Sequence, residues 1–153
     1  MDQIAAAAGV GKGTLFRRFT DKSGLAVALL DERERELQGA ILSGPPPLGP
    51  GAPAAQRLTA FTGAYLDYLL AHIDLVRMSE TATAGARYRI GAYRFWHRHT
   101  TILLDAAHDP DPAGTAHTLL AALSAEHVAG VLGHLGEVRL RAAITRLAAA
   151  VAA

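Results

Sequence analysis

The stretch Gly9-Val10-Gly11-Lys12-Gly13-Thr14 holds the residue types of a phosphate site: glycines that let backbone N–H groups approach an anion, a lysine and a hydroxyl. In one chemistry Lys12 reaches a nucleotide's outer phosphates and Thr14 a metal ion. In the other, the same residues join two short helices and their polar side faces a nucleic acid. The flanking residues decide between them.

A phosphate loop needs a buried strand before its glycines. Here Asp2-Gln3-Ile4 and four alanines precede them, a run that favours helix, and Ala6 stands where a glycine five positions before Gly11 is expected. The helical reading accounts for more residues. Ile4, Ala5 and Ala8 give a short helix an apolar face, and Gly9 can take the left-handed conformation that ends it. Val10, Leu15 and Phe19 then supply the buried side of a second helix, which leaves Lys12, Thr14, Arg17 and Arg18 for the other side. The plain alternative is that these cations only solvate a small helical unit.

The elements that must position this turn are all helices. From Asp21 to Ile41 no proline occurs, and Leu25, Leu29, Leu37 and Ile41 recur at multiples of four, which predicts one long helix. Within it, Asp31 precedes Arg35 by four and Arg33 precedes Glu36 by three, a spacing that pairs charges along a solvated face. Five prolines in residues 43–53 predict a linker. Beyond it, Leu58, Phe61, Tyr65, Leu69 and His72 form a helical stripe ending near His72, with a short element around Asp74 to Met78 and a boundary at Gly85. Residues 86–107 place Tyr88, Ala92, Phe95, His99, Ile102 and Ala106 on one face of a further helix. Asp111 and Pro112 predict the start of a helix running to about Leu135, and Gly136 separates it from a last helix, Glu137 to Ala152. With no period-two strand, the expected fold is all-α: residues 1–42 a helix-turn-helix unit with its connecting helix, 43–53 a Pro/Gly linker, and 54–153 a helical bundle.

Composition narrows the classes without naming a partner. At 153 residues, half of them hydrophobic, the chain can bury a real core, and its net charge of +1 carries no information until mapped along the sequence. The absence of cysteine excludes disulfides and thiolate chemistry. No apolar run reaches the ~18 residues of a membrane span and no signal-peptide pattern opens the chain, so a cytoplasmic protein is expected. No Gly-x-Ser-x-Gly elbow is present, and Glu80, Glu126 and Glu137 show no evident acid or base partner, so an enzyme is not expected. His97 and His99 point to different helix faces, and neither a metal nor a cofactor is implied.

The run IAAAAGVGKGTLFRRFTDKSGLAVAL resembles the helix-turn-helix of the TetR family of transcriptional regulators, continuing into its fourth helix. The resemblance implies that a helix beginning near Gly11 or Lys12 enters the major groove of an operator, with Lys12, Gly13, Thr14 and Arg17 facing it and Arg18 adding charge. Phe16 stands where the family usually has a phosphate-contacting tyrosine, and Lys22 matches the family's phosphate-contacting lysine. It also implies a repressor that is released from double-stranded DNA by a small-molecule effector, and a homodimer formed through the last two helices. Leu119, Leu123, Val131, Val138, Ile144 and Leu147 supply apolar side chains suited to such an interface. An effector pocket is expected within the bundle, with Tyr65, Tyr68, Met78, Tyr88, Trp96 and His99 as its walls, which suits a largely apolar ligand. Arg77, Arg87, Arg89, Arg94 and Arg98 crowd the same region and would suit an anionic effector, unless they are solvated.

The family's first helix has no counterpart before Met1. One expectation is a translation start assigned too late. The other is an effector-binding homodimer with weak or no DNA binding.

Overall fold

A computed structural model describes residues 22–153, with side chains from residue 26 onward; the expectations for residues 1–21, and for the Lys22 side chain, lie outside the described residues. Six helices follow in order: α1 Lys22–Ser43, α2 Ala54–Glu80, α3 Ala86–Arg89, α4 Gly91–Ala106, α5 Pro112–Ala121 and α6 Ala125–Val151. The fold is all-α, and no strand occurs among the described residues.

In α1 the buried positions are Ala26, Leu30 and Ile41, with Glu34 and Leu37 half-buried on the same stripe. The expected Leu29 is instead 44% exposed. Leu29 and Leu30 sit about 100° apart on the helix, and the stripe that contains both Ala26 and Ile41 also contains Leu30. The opposite face carries the ion pairs anticipated from spacing, Arg33–Glu36 at 2.9 Å and Arg35–Asp31 at 2.6 Å.

The proline segment is a tight reversal. The Gly49 N–H donates to the Pro45 carbonyl at 2.9 Å, and a Cβ at Gly49 would collide with the Gly44 backbone. Helix α2 then buries Leu58, Phe61, Tyr65 and Leu69 as the stripe predicts. At His72 (φ −131°, ψ 24°) the helix kinks and continues to Glu80 instead of stopping.

Residues 86–107 do not form one helix, because Ile90 is extended (φ −68°, ψ 134°) between α3 and α4. The inward face of α4 matches the expected one at Ala92 and His99, which are buried, and departs from it toward the helix's end. Trp96, Thr100, Leu103 and Leu104 are buried, whereas Ile102 is 48% exposed and Ala106 also faces outward. The outward face carries Arg94, Arg98 and Asp105 beside Ile102, whereas the face holding Trp96 with two leucines removes more apolar area from water. Trp96, Phe61, Leu66, Leu104, Leu120 and Val128 belong to one core shared by α1, α2, α4, α5 and α6.

Helix α5 starts as read from sequence. The Asp111 side chain accepts from the Gly114 N–H at 3.1 Å, with Pro112 in the first turn. Asp111→Ala is expected to lower stability by about 1 kcal/mol, the usual value of an N-cap, in denaturant unfolding. The helix does not run on to Leu135. It ends at Ala121, and the chain bends by 52° into α6. Local chemistry holds the break: the Ser124 side chain accepts from the His127 N–H at 3.2 Å, and the Glu80 carboxylate accepts from the Ala125 N–H at 2.8 Å. Gly136 (φ 71°, ψ 157°) interrupts α6 where the sequence places a boundary. Among the described residues, no single helix is long and apolar enough to cross a membrane.

Candidate functional site

Charged groups do not enter a core unless they are paired and hydrogen-bonded. Two such groups, Glu80 at the end of α2 and Arg87 in α3, are 9% and 7% exposed. Arg87 donates to the Glu80 carboxylate through Nη1 and to the Leu120 carbonyl through Nη2 at 2.8 Å. With its other oxygen Glu80 caps α6. One ion pair thus joins α2, α3, the end of α5 and the start of α6. The Arg87 guanidinium also lies over the Tyr93 ring, 5.0 Å from its centroid. Tyr93 is held in place by a 2.7 Å hydrogen bond between its hydroxyl and His117 Nδ1.

Beside this pair is a cavity of about 20 Å³, room for about one water molecule. Its aromatic walls are Tyr65, Tyr68, Tyr93 and Trp96, its charged groups Glu34, Glu80 and Arg87. Tyr65 and Tyr68 stack with centroids 5.8 Å apart, and Tyr65 lies 5.4 Å from Trp96. The Tyr68 hydroxyl donates to Glu34 Oε1 at 3.0 Å, a direct polar link between α2 and α1. Burial pushes the Tyr68 phenol upward, and the Glu34 carboxylate adds to the effect. Burial also raises the Glu34 carboxyl, with the Tyr68 hydrogen bond opposing.

A further polar group, His99, is also buried. His99 stands edge-on to Phe61 at 5.1 Å, and its buried Nε2 has no hydrogen-bond partner among the described residues. Burial, with the nearby Arg57 cation, lowers its pKa to about 4. Because the folded pKa lies below the unfolded one, the neutral ring's stabilisation is complete above about pH 6.5 and is lost as pH falls toward 4. The loss amounts to roughly 3 kcal/mol at the acid end. His99→Leu is therefore expected to flatten the stability profile between pH 6.5 and pH 4 relative to the unchanged chain, read from urea midpoints across that range.

Of the six bundle residues expected to line a pocket, the structure brings Tyr65, Tyr68 and Trp96 to one cavity. Met78 is half-buried and Tyr88 is 56% exposed, and neither lines it. His99 packs against Phe61 and Phe95. Among the five arginines, Arg87 is buried while Arg77, Arg89, Arg94 and Arg98 are exposed. The glutamates without an evident partner in sequence have one in space: Glu80 with Arg87, Glu126 with Arg77, and Glu137 with Arg141 at 2.9 Å. Sequence reading missed Glu34 because it lies inside the charged run DERERE. The signal was its position, four residues after Leu30 and seven before Ile41, on the buried stripe.

Residues 1–29 match the family described as bacterial regulatory proteins, tetR family. No curated protein and no solved structure matches the chain. The match supports membership of the TetR family and a helix-turn-helix DNA-binding unit, hence a transcriptional regulator of that type. It takes in Lys12 through Lys22, and it ends inside α1.

Proposed function

We propose that the chain is a ligand-responsive repressor that binds a palindromic operator as a homodimer and is released from it by a small-molecule effector. One observation carries this reading: the family match runs to residue 29, into the helix that five positions later presents Glu34 to the cavity's Tyr68, so a single helix touches both functions. A ligand that parts Tyr68 from Glu34 displaces α1. Displacement of α1 in each subunit changes the separation of two recognition helices, which must fit half-sites about 34 Å apart. Lys12, Gly13, Thr14 and Arg17 face the groove in this account, with Phe16, Arg18 and Lys22 beside the backbone.

The homodimer is supported by apolar side chains left on α6, where Val138 is 83% and Leu147 39% exposed, while Gly130 and Gly133 leave open space for a close helix approach. Nuclease footprinting of the DNA flanking its own gene tests the reading. The expected result is one protected palindrome with half-sites about one helical turn apart, lost on addition of the effector. A protected region without two-fold symmetry contradicts it.

A further inference from the structure

We propose that the cavity between α1, α2 and α4 receives a small organic monocation, an amine or quaternary ammonium on an apolar body, and that Glu34 takes up its charge. The inference rests on the ligand-responsive reading and names the ligand's class.

The charges of the wall set the sign. Two carboxylates, Glu34 and Glu80, face one guanidinium, Arg87, so the lining carries one net negative charge. Glu80 and Arg87 answer each other and are further held by the Ala125 N–H and the Leu120 carbonyl. Among the described residues, Glu34 receives only the neutral Tyr68 hydroxyl at 3.0 Å. Among the described residues it is the lining's carboxylate without a cation. An anion entering here would meet two carboxylates and the negative faces of aromatic rings. A cation meets the reverse: Tyr65, 5.8 Å from Tyr68 and 5.4 Å from Trp96, belongs to an aromatic wall, and aromatic rings attract ammonium groups. The wall already holds one cation this way, since Arg87 lies over Tyr93.

The cavity's small volume gives the cation its effect. About 20 Å³ admits no organic ligand unless the walls part. The polar contact that spans the gap is Tyr68 to Glu34, and a cation competes for that carboxylate. Its binding free energy is therefore coupled to separation of α2 from α1.

Trp96, the chain's one tryptophan, stands in the wall and reports binding by fluorescence. The probes are phenyltrimethylammonium, its uncharged isostere tert-butylbenzene and the anion benzenesulfonate, each titrated into the full chain. The expected result is saturable quenching by the cation, about tenfold tighter than by the neutral isostere, with no saturation by the anion. Glu34→Gln weakens the cation about tenfold. Glu36→Gln, on the exposed face, leaves it unchanged. Tyr68→Phe, which frees Glu34 from its hydrogen bond, tightens it, whereas a purely structural Tyr68 would weaken it. Circular dichroism of each variant checks folding. Equal affinity for cation and isostere, insensitivity to Glu34→Gln, preference for the anion, or no saturation by any probe overturns the proposal. The footprint reports on the regulator reading independently, so failure of the cation leaves that reading standing or falling on DNA alone.

Discussion

Arg87→Met is expected to destabilise the bundle by about 3–5 kcal/mol, the range seen when one partner of a buried ion pair is removed. In a chain of this size that lowers Tm by roughly 10 °C. The reason is asymmetry: methionine fills much of the arginine's volume, but Glu80 remains 9% exposed with its cation gone, and the Leu120 carbonyl loses a donor. The double variant Glu80→Leu with Arg87→Met removes the uncompensated charge. It is expected to be more stable than Arg87→Met alone, yet below the parent, because the Ala125 N–H then lacks the acceptor that caps α6. Denaturant unfolding of the four proteins in this cycle gives the coupling. A loss under about 1 kcal/mol for Arg87→Met would show that the pair is solvated, as surface pairs are.

The second large effect concerns DNA. On the proposed reading, replacing both Lys12 and Arg17 by alanine is expected to weaken operator binding at least about 1,000-fold, since each groove contact is worth about 1–3 kcal/mol and a dimer loses both contacts at both half-sites. The slope of log affinity against log salt should also become shallower, because fewer counterions are released. Thermal stability of the bundle should not change, as both positions precede α1. Loss of affinity with an unchanged salt slope would place these residues outside the interface.

Much of the fold was legible in sequence because helices announce themselves locally. The Leu58, Phe61, Tyr65, Leu69 stripe is buried as its spacing predicts, Asp111 caps α5, and Gly136 interrupts α6. The errors fall where neighbouring residues offered equivalent choices. Leu29 and Leu30 are adjacent, and Ile102 competes with Leu103, so periodicity alone could not select the inward one. The α5–α6 break was illegible for another reason. Residues 112–135 contain no proline after the first turn, and the stop depends on a carboxylate 45 positions earlier, Glu80, reaching the Ala125 N–H. The candidate site shows the same division. Its aromatics stood out by type, whereas Glu34 and Arg87 resembled surface charges until the packing of α1 and α3 put them at the cavity. Charge runs follow solvent only on average, and a single member on the buried stripe escapes that average.

Fluorescence anisotropy of labelled DNA flanking the chain's own gene, titrated at several salt concentrations with and without phenyltrimethylammonium, tests the central claim most directly. The account predicts tight binding whose affinity falls linearly in log salt, and release by the cation through a lower affinity at constant salt. A folded chain that binds this DNA no better than an unrelated duplex at every salt concentration would contradict it.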